Sequence, residues 1–197
     1  FQTIVYIPHF MSWVVAASIF SMILSPTSAG LVNDVLMKLH LITDNIYFLG
    51  DQKWWRFSYY IINVWKDTGW GTIIFMATLA GISPELYEAA SMDGANRFQK
   101  MIYITLPALN NTIVTVLVLN LAKVMNLFES VFVLQNDAVI KVSDVLQTYI
   151  YTQTFNSGAI PDYGYTTAVG MFSSIISCIL VLVCNRVSHK TRGRGIV

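Results

Sequence analysis

From Tyr165 to Asn185 the chain runs through twenty-one residues without one charged side chain. At 1.5 Å per residue such a helix is about 30 Å long, the thickness of a bilayer's hydrocarbon core. Backbone polar groups in hydrocarbon must bond within their own segment, so a run of this kind predicts a helix. Three further stretches read the same way: Thr3 to Leu24, Phe57 to Gly81 and Ala108 to Phe128. Charged residues are only 12% of the 197-residue chain, about half the usual share of a soluble domain. The net charge of +1 argues against a nucleic-acid partner, which needs a basic surface. The five Trp and ten Tyr suit side chains anchored at a membrane interface. The expected fold is all-α, a polytopic transmembrane helical bundle embedded in a lipid bilayer.

Between these spans the chain carries polar punctuation. Pro8 and His9 interrupt the first span near its start, where Pro loosens or kinks a helix. His9 reads either as a proton or substrate group or as a polar residue at a kinked helix end. Leu31 to Ile42 is apolar with a helical period but too short to span, and predicts an amphipathic helix on the outer surface. Asp44 to Arg56 reads as a polar and aromatic loop, with Trp54 and Trp55 at interface depth.

The second span contains Trp65, Lys66 and Asp67. Lys66 lies about 22 Å up the helix from Gly81, in the outer half. Two charges inside a span must pair, face a cavity or reach an interface. They read as a polar wall of a substrate path or as a snorkelling pair. In the third span Asn120, Lys123 and Asn126 recur every three residues and fall roughly along one side of a helix. They suit either a path for a hydroxyl-rich solute or hydrogen bonds between helices. Beyond them, Val142 to Phe155 predicts one helix, capped by Ser143 and ended by Asn156-Ser157-Gly158. Cys178 and Cys184, six apart on one helix, cannot bridge to each other.

The longest polar interlude lies between the second and third spans, from Ile82 to Pro107. Ser83 can cap a helix, Pro84 fits its first turn, and Glu85 places negative charge where the helix dipole favours it. Gly94 supplies the positive φ that ends a helix. A second helical run, Ala95 to Thr105, follows, and Pro107 marks where a span can begin. The local reading is two short helices joined at Gly94 and lying outside the bilayer.

Glu88-Ala89-Ala90, three residues, Gly94, nine residues, then Ile104-Thr105-Leu106-Pro107 resembles the EAA loop of binding-protein-dependent ABC importer permeases. The resemblance extends from Tyr6 to about Arg186, and Trp65 to Trp70 and Pro84 to Ala90 look most like the oligosaccharide branch. It implies a type I ABC importer permease whose N-terminal spans are missing, so that the chain, which begins at Phe1, reads as a fragment. On this reading residues 1–197 form a single permease domain, and 82–107 is its cytoplasmic coupling loop. Glu88, Ala89, Ala90, Asp93, Gly94, Arg97, Leu106 and Pro107 would couple to an ATPase. Trp65, Lys66, Asp67, Asn120, Lys123 and Asn126 would line half of a path for an oligosaccharide or other carbohydrate.

The partners implied are ABC ATPase subunits, a second homologous permease and an extracytoplasmic solute-binding protein. No cofactor is expected in this chain, since it lacks a G-x-x-x-x-G-K-[ST] phosphate loop and ATP would be bound by the partner. It would be a transport subunit and not an enzyme.

Charge distribution agrees on orientation. With four spans, Arg97, Lys100, Arg186, Lys190, Arg192 and Arg194 share one side, against Lys38, Lys53, Arg56 and Lys141 on the other. The excess puts the Gly94 loop and the C-terminus in the cytoplasm of a cell-membrane protein. The alternatives are the same machinery carrying an amino acid, a peptide or an anion, an integral membrane enzyme, and an ion-coupled secondary transporter using Lys66, Asp67 and Lys123 as a relay. Scattered His9, His40 and His189 speak against the enzyme.

Overall fold

The computed structural model describes residues 2–27, 30–156 and 161–192, and every described element is helical. Of the sequence expectations, Ser157, Gly158 and Arg194 lie outside the described residues. The chain forms two compact units. One comprises the residues up to Gly69 together with Met125–Ile176; the other comprises Trp70–Val124 and the chain from Ser177.

In the first unit, α1 (Gln2–Phe10) and α2 (Trp13–Ile23) take the place of the expected first span. They bend by 110° at Met11–Ser12. Pro8 lies within α1, and the Ser12 hydroxyl accepts from the Val15 N–H at 3.2 Å, capping α2 and making the break a true helix start. Helix α3 (Leu31–Lys38) ends earlier than expected. His40 takes φ 55°, and the N–H groups of His40 and Leu41 close back on Met37 and Leu36. Asn33 of α3 is fully buried. Its side chain ties the Ser25 and Ile46 carbonyls and the Ile46 N–H together within 2.9 Å.

Helix α4 (Gln52–Ala80) starts five residues before the expected Phe57, where Asp51 accepts from the Lys53 N–H at 2.9 Å. Trp55 therefore sits in the unit's core, 3% exposed, and not in an interface loop. It stacks on Tyr59 with ring centroids 5.1 Å apart and donates to the Leu134 carbonyl. Tyr59 bonds Ser130, so each amphipathic ring buries its body and satisfies its polar tip. Ile62, Val131 and Val139 complete this core.

The later part of the first unit holds α8 (Glu129–Leu134), α9 (Ile140–Ser143) and α10 (Leu146–Phe155), followed by the start of α11 (Tyr163–Arg192). The single helix expected from Val142 is thus split. Ser143 bonds the Val139 carbonyl behind it and caps nothing. Thr148 instead holds the break, accepting from the Val145 N–H and donating to Asp144.

The second unit contains the end of α4, then α5 (Pro84–Met92), α6 (Arg97–Lys100), a π-helical turn (Met101–Thr105), α7 (Leu106–Lys123) and the rest of α11. Thr78 of α4 and Thr112 of α7 share a hydroxyl bond of 2.7 Å. Among the described residues two helical stretches are long and apolar enough to cross a membrane: Arg97–Asn126, which runs just past the end of α7, and Tyr163–Ser188. The bent pair Thr3–Phe10 and Trp13–Ile23 is a third candidate. Helix α4 is 29 residues long but falls short in apolar character, because polar residues such as Ser58, Lys66 and Asp67 lie along it; Ser58 and Lys66 are buried.

Candidate functional site

The segment between α4 and α7 is built by local signals. The Ser83 hydroxyl accepts from the Glu85 N–H, and Pro84 opens α5. At the far end Gly94 has φ 77°, its N–H bonds the Ser91 carbonyl, and the Ala95 N–H bonds the Ala90 carbonyl. This pair of bonds satisfies carbonyls that α5 would leave orphaned. Asn96 and Gln99 then cap the next helix reciprocally, at 2.9 and 2.8 Å. That capping box is an N-x-x-Q spacing visible in the sequence, and sequence reasoning passed over it.

The expectation of a second short helix, with a span starting at Pro107, needs correction. The helix that starts at Arg97 runs on through Pro107 to Lys123 without a break. Proline removes one N–H from the ladder and crowds the carbonyl four residues back. The π-helical turn absorbs this, the Leu106 N–H reaching back five residues to Met101. Leu106 and Pro107 thus lie inside the long helix, and only α5 is a separate short helix.

Glu88, Ala89, Asp93, Gly94 and Arg97 are exposed, and Ala90 is half-buried. Three apolar side chains stand out beside them: Leu86, Met92 at 89% exposure and Phe98 at 65%. These were not among the sequence candidates, because an apolar residue in a helix reads as core until its neighbours are known. Arg97 occupies the first turn of its helix, where the dipole disfavours a cation, so its charge is not there to stabilise the helix.

The polar residues of the helices have distinct surroundings. Lys66 is 5% exposed; its Nζ donates to the His9 carbonyl at 3.1 Å and lies 5.1 Å from the centroid of the Trp13 ring. A cation at the carbonyl end of α1 is well placed electrostatically. Lys66 therefore does not snorkel; it closes α1 and touches the first residue of α2. The His9 Nδ1 lies 3.6 Å from the Asp67 carboxylate, which is itself mostly exposed. Trp65 packs edge-on against Phe20 at 5.1 Å.

Asn120 lines an open depression of about 390 Å³ whose other lining residues are apolar, among them Phe75, Leu117 and Val124. Lys123 is exposed at the last residue of α7, a helix end and not mid-span. Asn126 lies beyond it in the helix break and accepts from Gln147 at 3.2 Å. The three residues spaced along one expected stripe thus do not share one helix.

Over residues 1–193 the chain matches the family described as binding-protein-dependent transport system inner membrane component. It is 40% identical over 196 residues to protein LplB of Bacillus subtilis (strain 168), covering 99% of this chain and 60% of that protein. It is 39% identical to the polygalacturonan/rhamnogalacturonan transport system permease protein YteP of the same organism, covering 99% and 59%. The chain thus spans about three-fifths of the length of these relatives. Among solved structures it resembles a bacterial ABC transporter involved in the import of the acidic polysaccharide alginate. The TM-score is 0.89 at 37% identity, over 97% of this chain and 65% of that one. A bacterial alginate ABC transporter in complex with an alginate pentasaccharide-bound periplasmic protein gives 0.91 at 36% identity, over 99% and 66%.

Proposed function

Because the chain belongs to the family of binding-protein-dependent transport system inner membrane components, we propose that it is a permease subunit of an ATP-driven ABC importer for an oligosaccharide or other carbohydrate. The observation that carries this reading is the exposed turn at Gly94. A capped short helix, a left-handed glycine and a second capped helix hold Glu88, Asp93 and Arg97 outward beside Met92 and Phe98. Apolar knobs ringed by charge suit a protein partner. That partner is an ABC ATPase, which binds the ATP. The small side chains of Ala89 and Ala90 let it approach α5 closely, while Leu106 and Pro107 root the segment in the spanning helix.

Residues 1–197 act as one permease domain with 82–107 as its coupling segment. That segment and the C-terminus face the cytoplasm. Trp65, Asp67, Asn120 and Lys123 contribute to one half of the path, and a second permease supplies the other half. Lys66 and Asn126 hold the surrounding helices in place. A solute-binding protein on the opposite face delivers the sugar. The polygalacturonan and alginate transporters among the similar proteins support a carbohydrate over an amino acid.

The test is purification of the tagged protein from native membranes with identification of its partners by mass spectrometry. Recovery of an ATPase, a second permease and a binding protein stabilised thermally by sugars is the expected result. Recovery of the chain alone, active in vesicles without ATP, would replace this reading with an ion-coupled transporter.

A further inference from the structure

Helix α5 is joined to the long helix only through Asp93–Asn96, a connection containing a glycine at φ 77°. A push on α5 would be lost in bending there unless side chains hold the two helices together. Two contacts do so. Near the turn, Lys100 donates to the Ser91 hydroxyl. Farther from it, the Tyr87 and Thr105 hydroxyls lie 2.9 Å apart, both side chains half-buried.

The second contact exists because of the π-helical turn. On α5, Tyr87 and Ser91 are four residues apart and share a face. On the facing helix the matching step from Lys100 is five residues. In regular α-helix five steps would rotate Thr105 about 140° away from Lys100. The π-helical turn removes that mismatch: the Thr105 hydroxyl lies over the Lys100 carbonyl at 3.5 Å while meeting Tyr87. Pro107 accounts for the altered ladder but not for a hydroxyl pair closing on it. π-Turns inside α-helices are frequent at functional sites.

We infer that Tyr87 and Thr105 form a latch that makes α5 and the long helix move as one body, with both as positioning residues for energy coupling. The inference rests on the permease reading for its functional half. The mechanical half stands on geometry alone. With the latch closed, displacement of α5 passes into Arg97–Asn126; with it open, the Gly94 turn absorbs the displacement.

The test has two arms. In the first, Met92→Cys and Leu117→Cys, both at exposed positions, carry spin labels in a Cys178→Ser, Cys184→Ser background in lipid nanodiscs. The label-to-label distance should be single and narrow. It should broaden with Tyr87→Phe or Thr105→Val and narrow again with Thr105→Ser, which keeps the hydroxyl. An unchanged distribution in Tyr87→Phe and Thr105→Val overturns the latch. In the second arm, solute moved per ATP hydrolysed is measured in vesicles holding the assembled complex. It should fall roughly fivefold in either single variant, the scale of one hydrogen bond. The double variant should fall no further, since both changes break the same bond. An unchanged ratio, or two effects that add, overturns the coupling role. Failure to recover any ATPase removes the permease reading alone and leaves the first arm to decide the latch.

Discussion

Gly69 and Gly94 both stand where a side chain is disfavoured, for opposite reasons. A Cβ on Gly69 would run into the Val5 carbonyl and come within 2.9 Å of the Tyr6 Cα, because α1 lies directly on α4 there. A Cβ on Gly94 would meet nothing within 4 Å, yet its φ of 77° is one that other residues rarely adopt. One glycine serves a buried contact and the other an exposed turn. The first region buries Lys66 where α1 packs on α4; the second leaves Glu88, Asp93 and Arg97 exposed. Changes in the first should therefore appear as lost stability, and changes in the second as lost work by a folded protein.

The sharpest way to break that contrast is Gly94→Pro. Proline cannot take φ 77°, and it removes the N–H that bonds Ser91. Coupled uptake should be abolished while membrane insertion, followed by protease accessibility, stays normal; normal uptake would end the coupling role. Gly69→Val should act the other way, destabilising the first unit by about 3 kcal/mol as α1 is forced off α4. Thermal unfolding of the purified protein reads this, and an unchanged midpoint would show that the contact is dispensable.

Lys66→Met keeps the side-chain length but removes the ammonium donor from the part-buried bond to the His9 carbonyl, a loss of about 2 kcal/mol in the same assay. If uptake falls with no loss of stability, Lys66 belongs to the path after all. Smallest is Lys123→Ala, an exposed change worth within about 0.5 kcal/mol in stability. Its expected signature is a change in sugar uptake without a change in assembly, and unaltered uptake would leave Lys123 as a helix-end charge alone.

What was legible in the chain follows the same division. The cap at Ser83, the proline at the start of α5 and the left-handed Gly94 all act on their own neighbours, so their types and order sufficed. The start of α4 and the 110° break after Phe10 were not legible. Pro8 pointed to a kink, but Ser12, a good cap, stands in a stretch that reads as one span to Leu24, so the size and place of the break stayed hidden. Asp51 likewise looked like part of a polar loop until its carboxylate was seen on the Lys53 N–H. Trp55 carries the same ring whether it lies at an interface or in a core; only the positions of Tyr59 and Leu134 distinguish the two.

By itself the sequence determined that the chain is helical and largely apolar, and that its longest polar segment has defined caps and a defined turn. Those properties rest on propensity, hydropathy and spacing along a few residues. The tertiary structure decided the rest: that Lys66 closes α1, that Asn126 leaves the helix of Asn120, and that Thr105 turns toward Tyr87. Each of these pairs residues 18 or more positions apart or depends on where a helix ends. A side chain's chemistry says what partner it needs, but only the packed chain says which one it finds.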